Sequence, residues 1–215
     1  MSYKIAIDGP SASGKSTISK IIAKNNNLLF VSTGFIFRSF AYLLKENNLC
    51  DISISEQLLF LKKQKIELIK DKVFINGIDC TKKLHGDDIS YLSSKISSIL
   101  EIRELFKEIQ RQISDKCDVI MDGRDIGTVI LPDANLKIFL VASSYKRAKR
   151  RYDELVRLNI KKSFFFIWFK IIKRDWNDKH RKLSPLKKAD DAFVINSSNK
   201  SIDEVVKEIQ KKIER

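Results

Sequence analysis

The residues best suited to chemistry lie close to the start of the chain, in Gly9-Pro10-Ser11-Ala12-Ser13-Gly14-Lys15-Ser16-Thr17. This is the spacing of a P-loop, in which backbone N–H groups curl around phosphate oxygens and the following helix turns its positive end toward the same anions. Gly9 and Gly14 allow a close backbone approach, Lys15 can reach the β- and γ-phosphates, and the Ser16 hydroxyl can join a magnesium shell. Four further groups carry charge in patterns that suit polyanions. Asp122 closes an apolar run and is a candidate to hold magnesium through water. Gly123-Arg124-Asp125-Ile126-Gly127-Thr128 combines a phosphate clamp with a carboxylate able to accept from a base amine. Arg147, Arg150 and Arg151 recur at helical spacing, and so do Arg174, Asp178 and Arg181. The two sets are expected to form an electropositive clasp on consecutive helices.

Positioning these groups takes alternating strands and helices. Lys4 to Asp8 reads as a strand feeding the P-loop, and Leu28 to Val31 as a second strand. Ser32-Thr33-Gly34 then reads as a turn before a helix from Phe35 to Leu44 that carries Arg38. Strand, loop, helix repeated in this way predicts a parallel α/β domain, with its crevice beyond the carboxyl ends of the strands. Helix is expected from Asp51 to Leu61. Ile66–Ile69, Val73–Ile75 and Ile78–Cys80 around Asn76-Gly77 predict antiparallel hairpins, an insert spanning 62–86. From Asp87 to Ile113 the apolar period is helical with a bend, and it contains Ser94 and Arg103, which by themselves read as surface residues. Strands are expected over Asp118–Asp122, Leu136–Val141 and Ala192–Ile195. A helix from about Phe164 should end at Ser184-Pro185, and a capping box at Ser201 to Glu204 should open a last helix with Ile202, Val205, Val206, Ile209 and Ile213 inward.

The 215 residues carry 41 Lys plus Arg against 27 Asp plus Glu, a formal charge of +14, which favours anionic partners without choosing among them. The three cysteines, Cys50, Cys80 and Cys117, lack metal-ligand spacing and suggest reduced thiols in a cytoplasmic setting. No secretory segment is legible at the N-terminus. The run Phe164-Phe165-Phe166-Ile167-Trp168-Phe169 is too short to span a bilayer; packing into a core or against the lid of a site is expected of it, with a peripheral membrane patch as the lesser alternative, and no membrane partner is expected.

A P-loop accounts for one nucleoside triphosphate, and hydrolysis alone would not call for so many arginines downstream. Two polyanions, donor and acceptor, must be neutralised before an acceptor phosphate oxygen can approach the γ-phosphorus in line. An acceptor phosphate is already an anion, so positioning and exclusion of water replace a strong general base.

The stretches Ile-Asp-Gly-Pro-Ser-Ala-Ser-Gly-Lys-Ser-Thr, Ser-Thr-Gly-Phe-Ile-Phe-Arg, Asp-Gly-Arg-Asp-Ile-Gly-Thr-Val, Arg-Asp-Trp-Asn-Asp-Lys-His-Arg and Pro-Leu-Lys-Lys-Ala-Asp-Asp-Ala stand in the order found in bacterial cytidylate kinases. Over nearly its whole length the chain resembles that family. The resemblance implies phosphate transfer from ATP, with Mg2+, to CMP or dCMP. It also implies a P-loop NTPase fold of the adenylate-kinase type: a five-stranded parallel sheet with helices on both faces, a small antiparallel acceptor-side insert and a helical lid over 147–181, within a single kinase domain, 1–215. By the same resemblance Thr33, Arg38, Arg124 and Arg181 hold the acceptor phosphate. Ser94, Arg103 and Asp125 read the cytosine edge, while Arg174 and Asp178 contact the pentose and orient the acceptor. The chain departs from the family pattern at Ser32, Phe37, His85 and Asn177, each a loss of charge or hydrogen bonding. A monomer that needs no nucleic acid is expected. The rivals are another P-loop small-molecule kinase, acting on UMP or AMP, and, on charge alone, a basic nucleic-acid-binding protein.

Overall fold

The apolar runs form a five-stranded sheet with β1 (Lys4–Asp8) at its centre and the order β2 (Leu29–Ser32), β6 (Val119–Gly123), β1, β7 (Leu136–Val141), β8 (Phe193–Asn196). β1 pairs in parallel with β6 and β7, and β7 with β8. The strands are nearly continuous in Ile, Leu and Val because a parallel sheet is covered on both faces. In this computed structural model, residues 2–69 and 72–213 are described, without the side chains of Leu68, Ile69, His85 and Asp87. The expectation for His85 therefore falls outside the described side chains. The chain forms two compact units, Met1–Phe30 with Ser114–Arg215, and Val31–Ile113.

In the first unit, α1 (Lys15–Asn26) and α8 (Ile202–Gln210) contribute to one core with the sheet, where Ile18 and Ile22 join Ile5, Ile7, Ile138, Val205, Val206 and Ile209. The capping box between Ser201 and Glu204 is formed as expected. Ile202, expected inward, is instead 48% exposed, because the first helical residue precedes the turn that meets the core. α6 (Ser144–Arg157) and α7 (Phe164–His180) pack as a helical pair around Ala148, Leu155, Ile167 and Ile171. Only Phe164, Ile167 and Trp168 of the aromatic run take part in this cluster. Phe165, Phe166 and Phe169 are exposed, since a period of 3.6 residues cannot turn six consecutive residues inward. α7 also ends four residues earlier than Ser184, at His180. Arg181 has extended backbone, and Ser184 adopts a φ of 47°, so the chain leaves the helix before Pro185 acts.

In the second unit α2 runs over Thr33–Glu46, so the expected turn at Ser32 to Gly34 is absent and β2 passes directly into the helix. α3 (Ile54–Lys62) starts at a capping box formed by Ser53 and Glu56 rather than at Asp51. β3 (Ile66–Ile69), β4 (Lys72–Ile75) and β5 (Ile78–Asp79) form the antiparallel insert. Asn76 and Gly77 carry positive φ at the turn, and the Asn76 side chain accepts from the Lys65 N–H at 2.9 Å. α4 (Asp87–Ile96) and α5 (Leu100–Ser114) replace the single bent helix, with the break at Ser97 to Ile99.

Candidate active site

The P-loop follows β1 through Gly9, at φ 152°, where a Cβ would stand 2.1 Å from the Leu140 carbonyl oxygen. Only glycine lets the loop lie so close to β7. Beyond it, Ala12 and Gly14 also take positive φ, and the loop turns into α1. Lys15 is buried, and its ammonium group donates to the carbonyls of Gly9 at 2.8 Å and Pro10 at 2.7 Å and to Ser13 Oγ at 3.4 Å. Burial, and then the nearby Arg124 and Arg174, hold its pKa well below the usual lysine value, against the opposing pull of Asp122 and Asp8. Three cations so close together form a site that an entering polyanion relieves.

Ser16 Oγ donates to Asp122 Oδ2 at 2.5 Å, joining the start of α1 to the end of β6. One hydroxyl and one carboxylate at the loop mouth suit magnesium, which keeps most of its waters and takes its other ligands from substrate phosphates. Among the described residues no group of three or more His, Cys, Asp or Glu could hold a metal ion.

After β6 the chain makes a single π-helical turn, Ile126–Ile130. The Arg124 Nε donates to Asp178 Oδ2 at 2.8 Å, and the Arg181 guanidinium lies 3.6 Å from Asp125 Oδ1. Arg181 also donates to the Ser184 carbonyl at 2.7 Å, which holds it at the helix end in spite of the early exit of α7. Burial pushes the Asp178 pKa up, but Arg124, Arg174 and Arg181 together outweigh it and hold the carboxyl below its ordinary value. Arg124, Asp125, Arg174, Asp178 and Arg181 are thus brought together at the carboxyl end of the sheet.

The three arginines of α6 part company. Arg147 is buried, donates to the Ser11 carbonyl at 2.9 Å and pairs with Asp175 through both terminal nitrogens. Arg150 reaches the Ser13 carbonyl at 3.3 Å and the Ser197 hydroxyl at 3.2 Å. Arg151 pairs with Glu154 at 2.8 Å within its own helix. Arg147 and Arg150 brace the P-loop from outside, and the contact seen for Arg151 is local.

In the second unit Thr33 is buried at the first position of α2, and Arg38 is half-buried one turn later on the same helix. Arg103 is buried and donates to the Ser97 carbonyl at 2.9 Å, while the Ser97 hydroxyl donates to the Ser94 carbonyl at 2.8 Å. The break between α4 and α5 therefore buries Arg103, against its surface reading, while Ser94 is half-buried and joins through its backbone carbonyl. Phe37 stacks on Phe106 at 4.1 Å and offers its face to the Arg103 guanidinium at 5.9 Å, so a ring face does the positioning here without a hydroxyl. Asn177 is exposed and uses its carbonyl to accept from the Arg181 N–H.

Three residues of this arrangement escaped the sequence. Asp8 accepts from the Ile126 N–H at 2.9 Å and the Gly127 N–H at 2.8 Å, fastening the Arg124–Asp125 loop to β1. Its burial raises the pKa to about 6, against the lowering by the Gly127 and Ile126 amides. A carboxylate ending a buried strand beside a glycine was the available signal, since a buried charge must find donors. Asp175 meets Arg147 across 28 residues, and the Ser197 hydroxyl donates to the Ser13 carbonyl across 184, separations that spacing does not reveal.

The family model described as cytidylate kinase matches residues 5–215. A cytidylate kinase of Streptococcus pyogenes serotype M5 is 45% identical, over 99% of this chain and 96% of its own length. One from Clostridium tetani is 41% identical, over 100% and 95%. Among solved structures, a shikimate kinase from Bacteroides thetaiotaomicron matches with a TM-score of 0.50 at 12% identity, over 98% of this chain and 97% of its own, a likeness of fold alone.

Proposed function

Since this chain belongs to the cytidylate kinase family and transfers a phosphoryl group from ATP to CMP or dCMP, we propose the following division of that work among its residues. The P-loop, Gly9 to Thr17, takes the triphosphate, and Lys15 leaves its carbonyl partners for the β- and γ-oxygens. Magnesium would be held by Ser16 directly and by Asp122 through water, where it neutralises phosphate charge. Arg147 and Arg150 fix the loop and complete the donor side, with Arg151 free to turn toward ATP once its exposed pair with Glu154 opens. Thr33, Arg38, Arg124 and Arg181 bind the acceptor phosphate, and Arg174 and Asp178 orient the acceptor through its pentose. Ser94, Arg103 and Asp125 read the base. A carboxylate accepts from the cytosine N4 amine and is repelled by the O4 carbonyl of uracil. The helical pair spanning 147–181 serves as the lid and 62–86 as the acceptor-side insert. The protein acts as a cytoplasmic monomer and needs no nucleic acid.

The observation that carries this reading is the buried lattice Arg124–Asp178 with Arg181–Asp125, next to Lys15 and Arg174. It gathers Lys15, Arg124, Arg174 and Arg181 about Asp178 and Asp125, cations and carboxylates of the kind that two phosphate groups and a base amine call for. ADP release measured with AMP, CMP, dCMP, UMP and GMP tests it, in the native protein and in Asp125→Ala. CMP and dCMP should lead, and the substitution should narrow their advantage over UMP by about ten- to a hundredfold. An equal loss on CMP and UMP would assign Asp125 to holding Arg181 instead of reading the base.

A further inference from the structure

The outer face of α7 carries an apolar stripe unrelated to phosphoryl transfer. Phe165 is 72% exposed, Phe169 66%, Ile172 46% and Trp176 61%. Their spacing of four, three and four residues confines them to an arc of about 60° along a helix of about 25 Å. Phe166, half exposed beside them, lies under the Lys170 ammonium at 4.6 Å. Lys179 borders the arc on one side and Lys173 on the other, both exposed. Both acidic residues of α7 turn inward, Asp175 onto Arg147 and Asp178 onto Arg124, so no carboxylate shares the outer face. Leu158 and Ile160, between α6 and α7, are exposed as well, and Lys161 follows them.

We propose that this face of α7 docks on an anionic lipid surface, with the stripe entering the headgroup boundary and the lysines meeting lipid phosphates. The pattern of aromatic and aliphatic residues flanked by lysine is that of a helix lying in the interfacial plane. Trp176 has the amphipathic ring favoured at that depth. A second copy of the chain fits poorly, because face-to-face pairing sets Lys170, Lys173 and Lys179 against the same lysines, on a chain of net charge +14. Single-stranded nucleic acid matches the lysines but leaves Ile172 without a base-stacking role. No helix among the described residues is long and apolar enough to cross a membrane, so the attachment is peripheral. Half of the aromatic run faces outward, which favours the peripheral patch over the inward packing expected of it.

The test is co-sedimentation of the full chain with vesicles of phosphatidylcholine alone and with an equal part of phosphatidylglycerol. Binding is expected only to the mixed vesicles, and it should fall about tenfold or more in Phe165→Ser/Phe169→Ser and in Lys170→Glu/Lys173→Glu, with CMP-dependent ADP release unchanged. An independent measurement leaves the stripe intact. In Trp168→Phe, Trp176 is the remaining tryptophan, and its emission should shift to the blue and be quenched by brominated lipid. No binding to mixed vesicles would overturn the proposal. So would binding that survives loss of both phenylalanines with Trp176 unquenched, which is surface adsorption of a basic protein. A stripe-dependent dimer, or a stripe-dependent response to an oligonucleotide without one to vesicles, would also overturn it.

Discussion

Burial of Asp8 should leave a signature in the pH dependence of stability that runs opposite to that of most carboxylates. Asp8 is 4% exposed, and its pKa rises from 3.8 to about 6 because burial disfavours the charged form more than the two amide donors favour it. Between those values the native protein keeps a proton that the unfolded chain has released, so each rise in pH within the window weakens the fold. The contribution is complete below 3.8 and gone above about 6. At about 1.4 kcal/mol per pH unit, the part lying between about pH 4.5 and 6 amounts to roughly 2 kcal/mol. Asp178 and Asp79, whose pKa values are lowered, slope the other way, so the isolating control is Asp8→Asn, which does not titrate. Urea unfolding of both proteins from about pH 4.5 to 7 should show the native protein losing roughly 2 kcal/mol relative to the variant. A constant difference across that range would refute the buried-carboxylate reasoning. Activity should move the other way, because a protonated Asp8 turns an acceptor of the Ile126 or Gly127 amide into a donor, loosening the loop that carries Arg124 and Asp125.

Lys15→Ala should lower phosphoryl transfer by about a hundredfold or more in single-turnover assays, with CMP affinity much less changed, because it removes charge at the transferring phosphate. Gly9→Ala should destabilise the protein and abolish ATP binding by calorimetry, since the added Cβ would meet backbone, which cannot yield as a side-chain tip can. Asp175→Ala should cost about 3 kcal/mol of unfolding free energy, as the buried Arg147 loses its counter-ion. Glu154→Ala, which only frees Arg151, should leave stability within about 0.5 kcal/mol.

The parts of the molecule legible in its sequence are those whose causes are local. The P-loop, the Asn76-Gly77 turn and the capping box at Ser201 depend on residues within a few positions of one another, and each was readable there. The break at Ser97 was legible only as a bend, because what fixes it is Arg103 reaching back to a carbonyl. Helix ends were less secure. Pro185 is a strong local stop, yet α7 ends at His180, where Arg181 turns toward Asp125 and Ser184. The clasp was half legible for a related reason. Spacing put Arg147, Arg150 and Arg151 near one another, while their different partners, Asp175, Ser197 and Glu154, were decided by tertiary contacts for the first two and by the next turn of the same helix for the third. The aromatic run shows the limit of hydropathy as a guide to burial, since six apolar residues in a helix must divide between two faces.

The hold of Lys15 on the Gly9 and Pro10 carbonyls makes occupation of the loop a ligand exchange rather than the filling of a vacant socket. An incoming anion must replace internal hydrogen bonds to the ammonium before it gains anything. The more phosphate oxygens an anion presents to the loop amides and the lysine together, the more of that loss it recovers. When an anion leaves, the same carbonyls stand ready to take the lysine back.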